Sequence, residues 1–358
     1  MLGPEFNSLD MNARMELNTK TKIVIAGAGS IGCYVGGCLA LAGRDVTLLL
    51  RDRLTTPMRK SGMDIVDLDE SERRVVPGSI RPETDPRVAL SGAGIVLVTV
   101  KSHATAEMAG LISRHAPGSI VVSLQNGVNN AQVLREALGA EGSVVSGMVP
   151  FNVVQQLAQG HPPRFQRTTS GTVLVGNGVP DLIGLLDVQG LPIHAHNDMT
   201  SVIWSKLVLN MNNALNALSG LPLVEQLADP AWRRLLASQM DEALGATDAA
   251  GISLARIEGV HPKLIPFALR LPTPLFRLVA RKMLAIAPDA RSSMWEDFEQ
   301  GRKTEIDYLQ GAVVDLARLS GREAKVCERI VALVKQREQA GRRSGASLMP
   351  GMIMSERE

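Results

Sequence analysis

The sequence is poor in cysteine and in aromatic residues. Its 358 residues include only three cysteines, Cys33, Cys38 and Cys327, and 3% Phe, Trp and Tyr. A small, odd number of cysteines cannot form the paired framework of a disulfide-rich secreted protein, so we expect a reducing, cytoplasmic location. The apolar content is nevertheless 45%, which over this length allows two hydrophobic cores.

The sequence also lacks an excess of charge and any long apolar run. Lys and Arg number 38 against 36 Asp and Glu, and the net charge of +2 gives no field that would favour nucleic acid or a membrane surface. The longest uninterrupted apolar segments have the length of strands and are too short to span a bilayer. The polar first 20 residues contain no apolar segment of the kind found in signal peptides.

A glycine-rich turn between a strand and a helix is the most informative part of the chain. It follows the β-branched segment 22–26 and has the spacing G-x-G-x-x-G: Gly27, Ala28, Gly29, Ser30, Ile31 and Gly32. In dinucleotide-binding folds the first glycine permits a tight turn, the second admits the pyrophosphate, and the third lets the helix pack on the strand. The phosphates bind the free N–H groups of that helix, here 30–42. The pattern therefore predicts a dinucleotide site, although such turns also occur in ordinary loops.

Arg51 bears on which dinucleotide is bound. It follows a second strand, 45–50, at the place where an acidic residue would bond the ribose 2′-OH and an arginine accommodates a 2′-phosphate. Arg51, supported by Arg53, therefore favours NADP(H) over NAD, the alternative being a solvated side chain. Cys33, in the first turn of the helix, is either an acidified thiol or a small core residue, and we favour the core residue.

Polar residues follow two further apolar strands. Lys101 comes directly after segment 93–100, and Asn126 comes shortly after segment 119–124. Ligands gather at the carboxyl ends of strands in such sheets, so we expect both side chains at the junction of cofactor and substrate. Asn126 with Gly127 also has the composition of a plain turn, which is the alternative interpretation.

The predicted fold class is an α/β N-terminal Rossmann-type dinucleotide-binding domain followed by an all-α C-terminal domain. Strand-like segments continue to about residue 197, including a hairpin excursion over 62–80, and helical periodicity follows. We expect an NADP-binding domain over 21–197 and a helical substrate and catalytic domain over 198–340. We expect a disordered or appended tail over 1–20 and a flexible tail over 341–358. No set of residues has the spacing of a metal site.

The predicted helix 200–218 carries two distinct stripes. One is apolar and should be buried: Trp204, Leu207, Val208, Met211, Leu215 and Leu218. Lys206, Asn210 and Asn213 share another face. Polar residues on one face are ordinarily solvated, but on an otherwise apolar helix they need partners, and a ligand cleft supplies them.

Five separated signatures resemble the ketopantoate reductase (2-dehydropantoate 2-reductase) family over 21–339. In chain order they are GAGSIG at 27–32, VTVKS at 98–102, QNG at 125–127, WSKLVLN at 204–210, and SSM with TEIDYLQG within 292–311. The resemblance implies the reduction of 2-dehydropantoate to (R)-pantoate by NADPH, a step of pantothenate and coenzyme A synthesis. A homodimer through the helical domain is a further expectation.

The resemblance also implies site roles. Lys206 would be the general acid that protonates the ketone oxygen, and Glu305 would orient it. The remaining residues would contact cofactor or substrate: Lys101, Asn126, Asn210, Asn213, Ser293 and, for the cofactor, also Glu305. Ala214 stands where the family commonly has a second asparagine, so Asn213 would take that role, and Ala290 stands where many members have asparagine.

Two other functions stay open at this level. One is an NADPH-dependent reductase acting on another 2-oxo acid. The other is a non-catalytic NADPH-binding sensor, which would have no use for Lys206 and Glu305.

Overall fold

The structure is a computed structural model that describes residues 17–139, 142–281, 287–340 and 348–354. Of the predicted tails, 1–16, 341–347 and 355–358 lie outside these residues. The described part of the predicted flexible tail, 348–354, packs on the helical part: Ile353 is buried and the Leu348 N–H donates to the Leu218 carbonyl at 3.1 Å. Twelve strands are found among the described residues. They are β1 Ile23–Ala26, β2 Val46–Leu49, β3 Met63–Val66, β4 Glu72–Val75, β5 Arg81–Glu83, β6 Ile95–Val98, β7 Ile120–Ser123, β8 Ser143–Met148, β9 Val153–Gln156, β10 Arg164–Arg167, β11 Val173–Gly176 and β12 Ile193–His196.

The described α-helices number sixteen, six among the strands and ten after them. The first group is α1 Ser30–Leu41, α2 Asp52–Ser61, α3 Pro86–Leu90, α4 Thr105–His115, α5 Asn130–Leu138 and α6 Leu182–Leu186. The second group is α7 Met199–Asn210, α8 Asn212–Ser219, α9 Leu223–Ala228, α10 Pro230–Ala249, α11 Ile265–Leu269, α12 Thr273–Val279, α13 Ser293–Glu299, α14 Gln310–Leu319, α15 Lys325–Gln339 and α16 Pro350–Met354.

The larger sheet has eight strands in the order β12-β11-β8-β7-β6-β1-β2-β5, and all neighbours are parallel except β11 and β8. The buried, β-branched strands β1, β6 and β7 form its centre, as expected for a parallel sheet covered on both faces. Ala26 lies opposite Val98, and Val98 lies opposite Ser123, so the carboxyl ends of these strands meet at one edge. The strand order reverses beside β1, where such folds bind their ligands.

A second sheet, β4-β3-β10-β9, covers the outer side of α1. Its β3–β4 pair is antiparallel and confirms the hairpin predicted over 62–80. Two adjacent glycines of α1 allow close packing on both sides. A Cβ at Gly36 would lie 2.6 Å from Leu48 of the large sheet, and one at Gly37 would lie 2.4 Å from Ile65 of the small sheet. Helix α1 is therefore enclosed between two sheets.

The helical part begins where the strands end. Strand β12 ends at His196, and the Asp198 side chain caps α7 by accepting the Ser201 N–H at 3.0 Å. A separate apolar cluster is built from α7 onward, around Trp204, Leu215 and Trp232. The predicted fold class, a Rossmann-type domain and an all-α domain, is confirmed. We propose residue 197 as the boundary between the two domains.

The prediction of one continuous helix over 200–218 is wrong. The helix is interrupted at Met211, between α7 and α8. The Met211 carbonyl accepts hydrogen bonds from two buried side-chain amides instead, Gln239 Nε2 at 3.0 Å and Gln310 Nε2 at 2.8 Å. The predicted apolar stripe is buried throughout. No helix among the described residues has both the length and the apolar character needed to cross a membrane.

Candidate active site

The three motif glycines have three different environments. Gly27 has φ +91°, and a Cβ there would lie 2.3 Å from Val100 Cγ1, so the turn at the end of β1 requires glycine. A Cβ at Gly32 would lie 2.6 Å from Thr99 Oγ1, which reflects the close packing of α1 on the sheet. At Gly29 the nearest protein atom to a Cβ would be 4.0 Å away, so the space is open. The open side at Gly29 and the free N–H groups at the start of α1 fit a pyrophosphate.

Arg51 lies between β2 and α2 with an exposed side chain. Its guanidinium has no hydrogen bond or ion pair within the described ranges, whereas Arg53 Nη2 donates to Gln155 Oε1 at 3.3 Å. Arg51 is thus free to bind an anion beyond the carboxyl end of β2. Cys33, by contrast, is fully buried and donates to the Ala28 carbonyl at 3.2 Å, and burial raises its thiol pKa. Cys33 is therefore a small core residue.

Lys101 joins the sheet edge to two carboxylates of the helical part. Its Nζ lies 2.9 Å from Asp297 Oδ2 and 3.4 Å from Glu305 Oε2. Burial alone would lower the pKa of Lys101, but the charges of Glu305 and Asp297 outweigh burial and raise the pKa above its ordinary value. Lys101 is consequently a permanent cation at the carboxyl end of β6.

Glu305 is held by the residue after Lys101. The backbone N–H and the side-chain hydroxyl of Ser102 both donate to Glu305 Oε1, at 2.9 and 2.8 Å. The prediction that Glu305 orients Lys206 is not met in this structure, because no hydrogen bond or ion pair joins the two residues in the described part of the chain. Both oxygens of Glu305 are already engaged by Ser102 and Lys101.

Asp297 is a site residue that sequence reasoning missed. Its carboxylate is buried, and beside its contact with Lys101 it accepts from Arg302 Nε and pairs with Arg302 Nη2, both at 2.9 Å. The sequence does place Asp297 one helical turn after Ser293, on the same face of α13. That spacing was the only available signal, because Lys101 lies 196 positions away in the chain.

Asn126 and Asn210 lie next to each other at the carboxyl edge of the sheet. Asn210 Nδ2 donates to Asn126 Oδ1 at 3.4 Å, which links the end of α7 to the carboxyl end of β7. Asn126 also begins a turn, since Gly127 has φ +90° and a Cβ there would lie 3.2 Å from the Tyr308 carbonyl. Asn126 therefore lies in a turn, and its role at the site stays a prediction.

Lys206 reaches the same edge from one helical turn before Asn210. Its Nζ donates to the Pro150 carbonyl at 3.1 Å, just beyond the end of β8. Burial lowers the pKa of Lys206 to about 8, and the negative charge of Glu258 opposes part of that shift. A lysine of this kind can donate a proton near neutral pH far more readily than an exposed one.

Glu258 occupies an unusual backbone position near this lysine. It has φ +49° in a tight turn with Gly259, and its Oε1 accepts from Ser170 Oγ at 3.3 Å. A Cβ at Gly171 would lie 2.5 Å from Pro150 Cγ and 2.8 Å from Glu258 Oε1. Gly171 therefore lies between Pro150 and the Glu258 carboxylate. Glu258 therefore lies on the side of the site where Lys206 binds Pro150.

Asn213 and Ser293 are adjacent but are not joined through their side chains. Ser292 Oγ donates to the Asn213 carbonyl at 3.0 Å, which places Ser293 next to Asn213. No hydrogen bond involves the Asn213 amide or the Ser293 hydroxyl in the ranges that the structure describes. Asn216, which the sequence did not single out, accepts the Ser292 N–H at 2.8 Å and so holds this junction.

Comparison with known proteins gives a consistent result over both parts of the chain. Residues 23–179 match the family described as ketopantoate reductase PanE/ApbA, and residues 198–338 match the family described as ketopantoate reductase PanE/ApbA C terminal. A protein named 2-dehydropantoate 2-reductase from Halobacterium salinarum is 28% identical over 329 residues, which cover 89% of this chain and 100% of that protein.

Solved structures share the fold. A PanE/ApbA family ketopantoate reductase from Ralstonia eutropha JMP134 has a TM-score of 0.75 and 27% identity, covering 90% of this chain and 99% of the other. A D-mandelate dehydrogenase in a ternary structure with NADH and anilino(oxo)acetate has a TM-score of 0.71 and covers 90% of this chain and 99% of the other. Its identity is 19%, so this likeness concerns the fold alone.

Proposed function

The chain belongs to the ketopantoate reductase family, and we propose that it reduces 2-dehydropantoate to (R)-pantoate with NADPH in pantothenate and coenzyme A synthesis. It is accordingly an oxidoreductase that uses a nicotinamide dinucleotide as its cofactor. The observation that carries the proposal is the partly buried ammonium of Lys206 at the carboxyl edge of the sheet, 3.1 Å from the Pro150 carbonyl.

In the proposed reaction Lys206 acts as the general acid. NADPH, when bound, supplies the hydride that adds to the carbonyl carbon of the 2-oxo acid. The carbonyl oxygen then gains negative charge, which the Lys206 ammonium stabilises and neutralises by donating its proton. The lowered pKa of Lys206 brings its acidity closer to the working pH and makes this transfer easier.

The asparagines and Ser293 would hold the substrate. We propose that the amides of Asn126, Asn210 and Asn213 bind its polar groups and that Ser293 contacts its carboxylate end. Ala214 is fully buried whereas Asn213 is not, which supports Asn213 as the substrate-facing residue of the pair. Lys101 would contact both cofactor and substrate, and Glu305 would act through Lys101 rather than through Lys206.

The cofactor would be NADP(H). The exposed Arg51 guanidinium lies where a 2′-phosphate would be placed, and the open backbone at Gly29 supports a pyrophosphate beside it. The proposal thus assigns the glycine turn, residues 27–32, to the diphosphate and Arg51 to the adenosine end.

The decisive experiment measures NADPH oxidation by the purified protein with 2-dehydropantoate, beside NADH and a panel of other 2-oxo acids. We expect fast turnover only with NADPH and 2-dehydropantoate, and a loss of at least 100-fold in kcat for Lys206→Ala, which removes the acid. Lys60→Ala, an exposed lysine on α2, is the control and should match the parent. Turnover of Lys206→Ala within a few-fold of the parent would refute the catalytic role.

The other outcomes distinguish the alternatives. Fast reduction of a different 2-oxo acid would leave the chemistry intact and replace the substrate. Tight NADPH binding without any turnover would identify a sensor.

We further propose a homodimer through the helical domain, in the cytoplasm. Helix α12 exposes an apolar stripe, Leu275, Leu278 and Val279, beside the exposed Phe267 of α11. All three cysteines are buried and free, in accord with a reducing compartment. Sedimentation analysis should give a dimer for the parent and a monomer for Leu278→Glu. A parent that sediments as a monomer would refute the dimer.

A further inference from the structure

A chain of buried hydrogen bonds runs behind the active site and ends on two of its residues. Five side chains from β7, the start of α4, the start of α5 and their loops form it, and each is at most 9% exposed. They are Ser102, Thr105, Ser123, Gln125 and Asn130. None of them has a role in the proposed reaction, although Ser102 and Gln125 lie within the signatures at 98–102 and 125–127.

Asn130 is the branch point of this chain. Its Nδ2 donates to the Asn126 main-chain carbonyl and, at 3.1 Å, to Ser102 Oγ. Its Oδ1 accepts from Thr105 Oγ1 at 2.8 Å. Every polar atom of the Asn130 amide is therefore used, although the residue begins α5 and is not its N-cap.

Two main-chain carbonyls fix the orientation of both amides: that of Asn126 accepts from Asn130 Nδ2, and that of Val100 accepts from Gln125 Nε2 at 3.0 Å. The Asn126 carbonyl can only accept, so the Asn130 NH₂ group must face it and Oδ1 must face Thr105. Thr105 uses its single proton on Asn130 and hence accepts from Gln125 Nε2 at 2.7 Å. Gln125 Oε1 is then left to accept from Ser123 Oγ at 3.2 Å. No amide in this chain can flip without losing hydrogen bonds.

This chain of hydrogen bonds fixes the positions of two groups of the active site, Asn126 and Glu305. Through the Asn126 carbonyl it fixes the segment whose side chain binds Asn210. Through Ser102 it fixes Glu305, because Ser102 Oγ accepts a hydrogen bond from Asn130 Nδ2. The Ser102 hydroxyl has two acceptors at 2.8 Å, Glu305 Oε1 and the Asn126 carbonyl. Asn130 already donates to that carbonyl, which favours Glu305 as the acceptor of the Ser102 proton. Glu305 in turn pairs with Lys101.

We infer that Asn130 is a positioning residue for the reaction, which sets Asn126 directly and Glu305 through Ser102. The inference rests on the proposed function. The essential group is a donor that faces the Asn126 carbonyl, and the NH₂ group of Asn130 in addition donates to Ser102 Oγ.

Two variants and one control test the inference. Asn130→Ala removes the amide, and Asn130→Asp keeps its shape but replaces the donor by an oxygen. Thr247→Val is the control, because Thr247 is an equally buried residue of α10 whose hydroxyl, among the described residues, donates to the local Ala243 and Leu244 carbonyls. Thermal unfolding and circular dichroism would verify that each protein is folded at every pH used.

The expected result is a specific loss of catalysis. Asn130→Ala should lower kcat/KM on the order of 100-fold, as a misplaced active-site group does, while Thr247→Val stays within twofold of the parent. Asn130→Asp should be equally impaired at pH 8 but recover toward the parent at pH 6. A protonated carboxyl has one O–H that can donate to the Asn126 carbonyl and one oxygen that can accept from Thr105. Burial favours that protonated form.

The inference is overturned if folded Asn130→Ala and Asn130→Asp both stay within twofold of the parent. It is also overturned if their activity falls only in proportion to thermal stability, without recovery at low pH, since a purely structural role predicts that pattern. If the parent reduces another 2-oxo acid, the ratios are measured with that substrate.

If the parent has no turnover at all, the proposed function fails, and amide hydrogen exchange decides the inference alone. Faster exchange over 124–130 in Asn130→Ala but not in Thr247→Val would support it, and unchanged exchange would refute it.

Discussion

Lys206 combines burial with a nearby carboxylate, and both act on its pKa. Because a general acid must be protonated, kcat/KM for reduction should be constant at low pH and fall as the pH rises through about 8, the pKa of Lys206. The fall should approach tenfold for each pH unit. A pH profile of kcat/KM for the 2-oxo acid, measured at saturating NADPH with buffer controls, would test this. A constant profile up to pH 10 would contradict it.

Glu258 should move that profile. Its negative charge raises the Lys206 pKa, so Glu258→Gln should lower the pKa and shift the falling limb to lower pH. Glu136→Gln, an exposed carboxylate on α5, is the matched control and should leave the limb in place. A shift to higher pH in Glu258→Gln would mean that Glu258 does not act on Lys206 through its charge.

Arg51 should determine the cofactor preference. A guanidinium bound to a phosphate contributes about 1.5–3 kcal/mol, so Arg51→Ala should raise the KM for NADPH about 10- to 100-fold. The KM for NADH should change little, because NADH has no 2′-phosphate. Parallel titrations of both cofactors would measure the ratio, and an equal loss for both would assign Arg51 a role other than phosphate recognition.

Single residues were predictable where a strand end or a helix face determined their position. Lys101, Asn126, Lys206 and Asn210 reach the carboxyl edge because the sequence places them after strands or on α7. The partners were not predictable, because pairs such as Lys101 and Asp297 are 196 positions apart. Position along the chain therefore identified the side chains but not the contacts between them.

At the scale of elements, two glycines of the motif serve different purposes: Gly29 leaves space for the pyrophosphate, and Gly32 allows α1 to pack on the sheet. Gly29→Ala places a methyl group in open space, so the free protein should keep its stability but lose NADPH affinity, because the methyl group occupies the path of the pyrophosphate. Gly32→Ala places a methyl group 2.6 Å from Thr99 Oγ1 and should lose both. Urea unfolding without cofactor, paired with NADPH titration, would measure both effects. Equal destabilisation by the two variants would contradict this distinction.

Helices and strands were predictable where their apolar residues form a continuous run or a regular period. The buried central strands and the long helices α1, α10 and α15 follow from periodicity and flanking glycines. The interruption at Met211 does not, because its cause is the two amides of Gln239 and Gln310, which reach it from α10 and from the start of α14. Strands β9 and β10 are as short as the central strands, but their sequences VVQQ and RFQR are not continuous apolar runs and so gave no strand signal.

For the molecule as a whole, contacts at the sheet edge connect the two domains. Lys101 binds Asp297 and Glu305, and Asn126 binds Asn210. Lys101→Met should lower the free energy of unfolding by about 1–2 kcal/mol, less than for a fully buried pair because Lys101 is partly solvated. Chemical denaturation at pH 7 would measure it. Asp297→Asn should cost less in the Lys101→Met background than in the parent, since only the Arg302 pair of Asp297 is then left to lose.

Helix α1 is enclosed between the two sheets, and this enclosure should make the cofactor site rigid before the cofactor binds. A helix covered on both sides opens only when much of the domain opens, so its amide hydrogens should be among the slowest to exchange with heavy water. The N–H groups that await the phosphates are then already ordered before any ligand arrives. Binding at this end should therefore cost little conformational entropy.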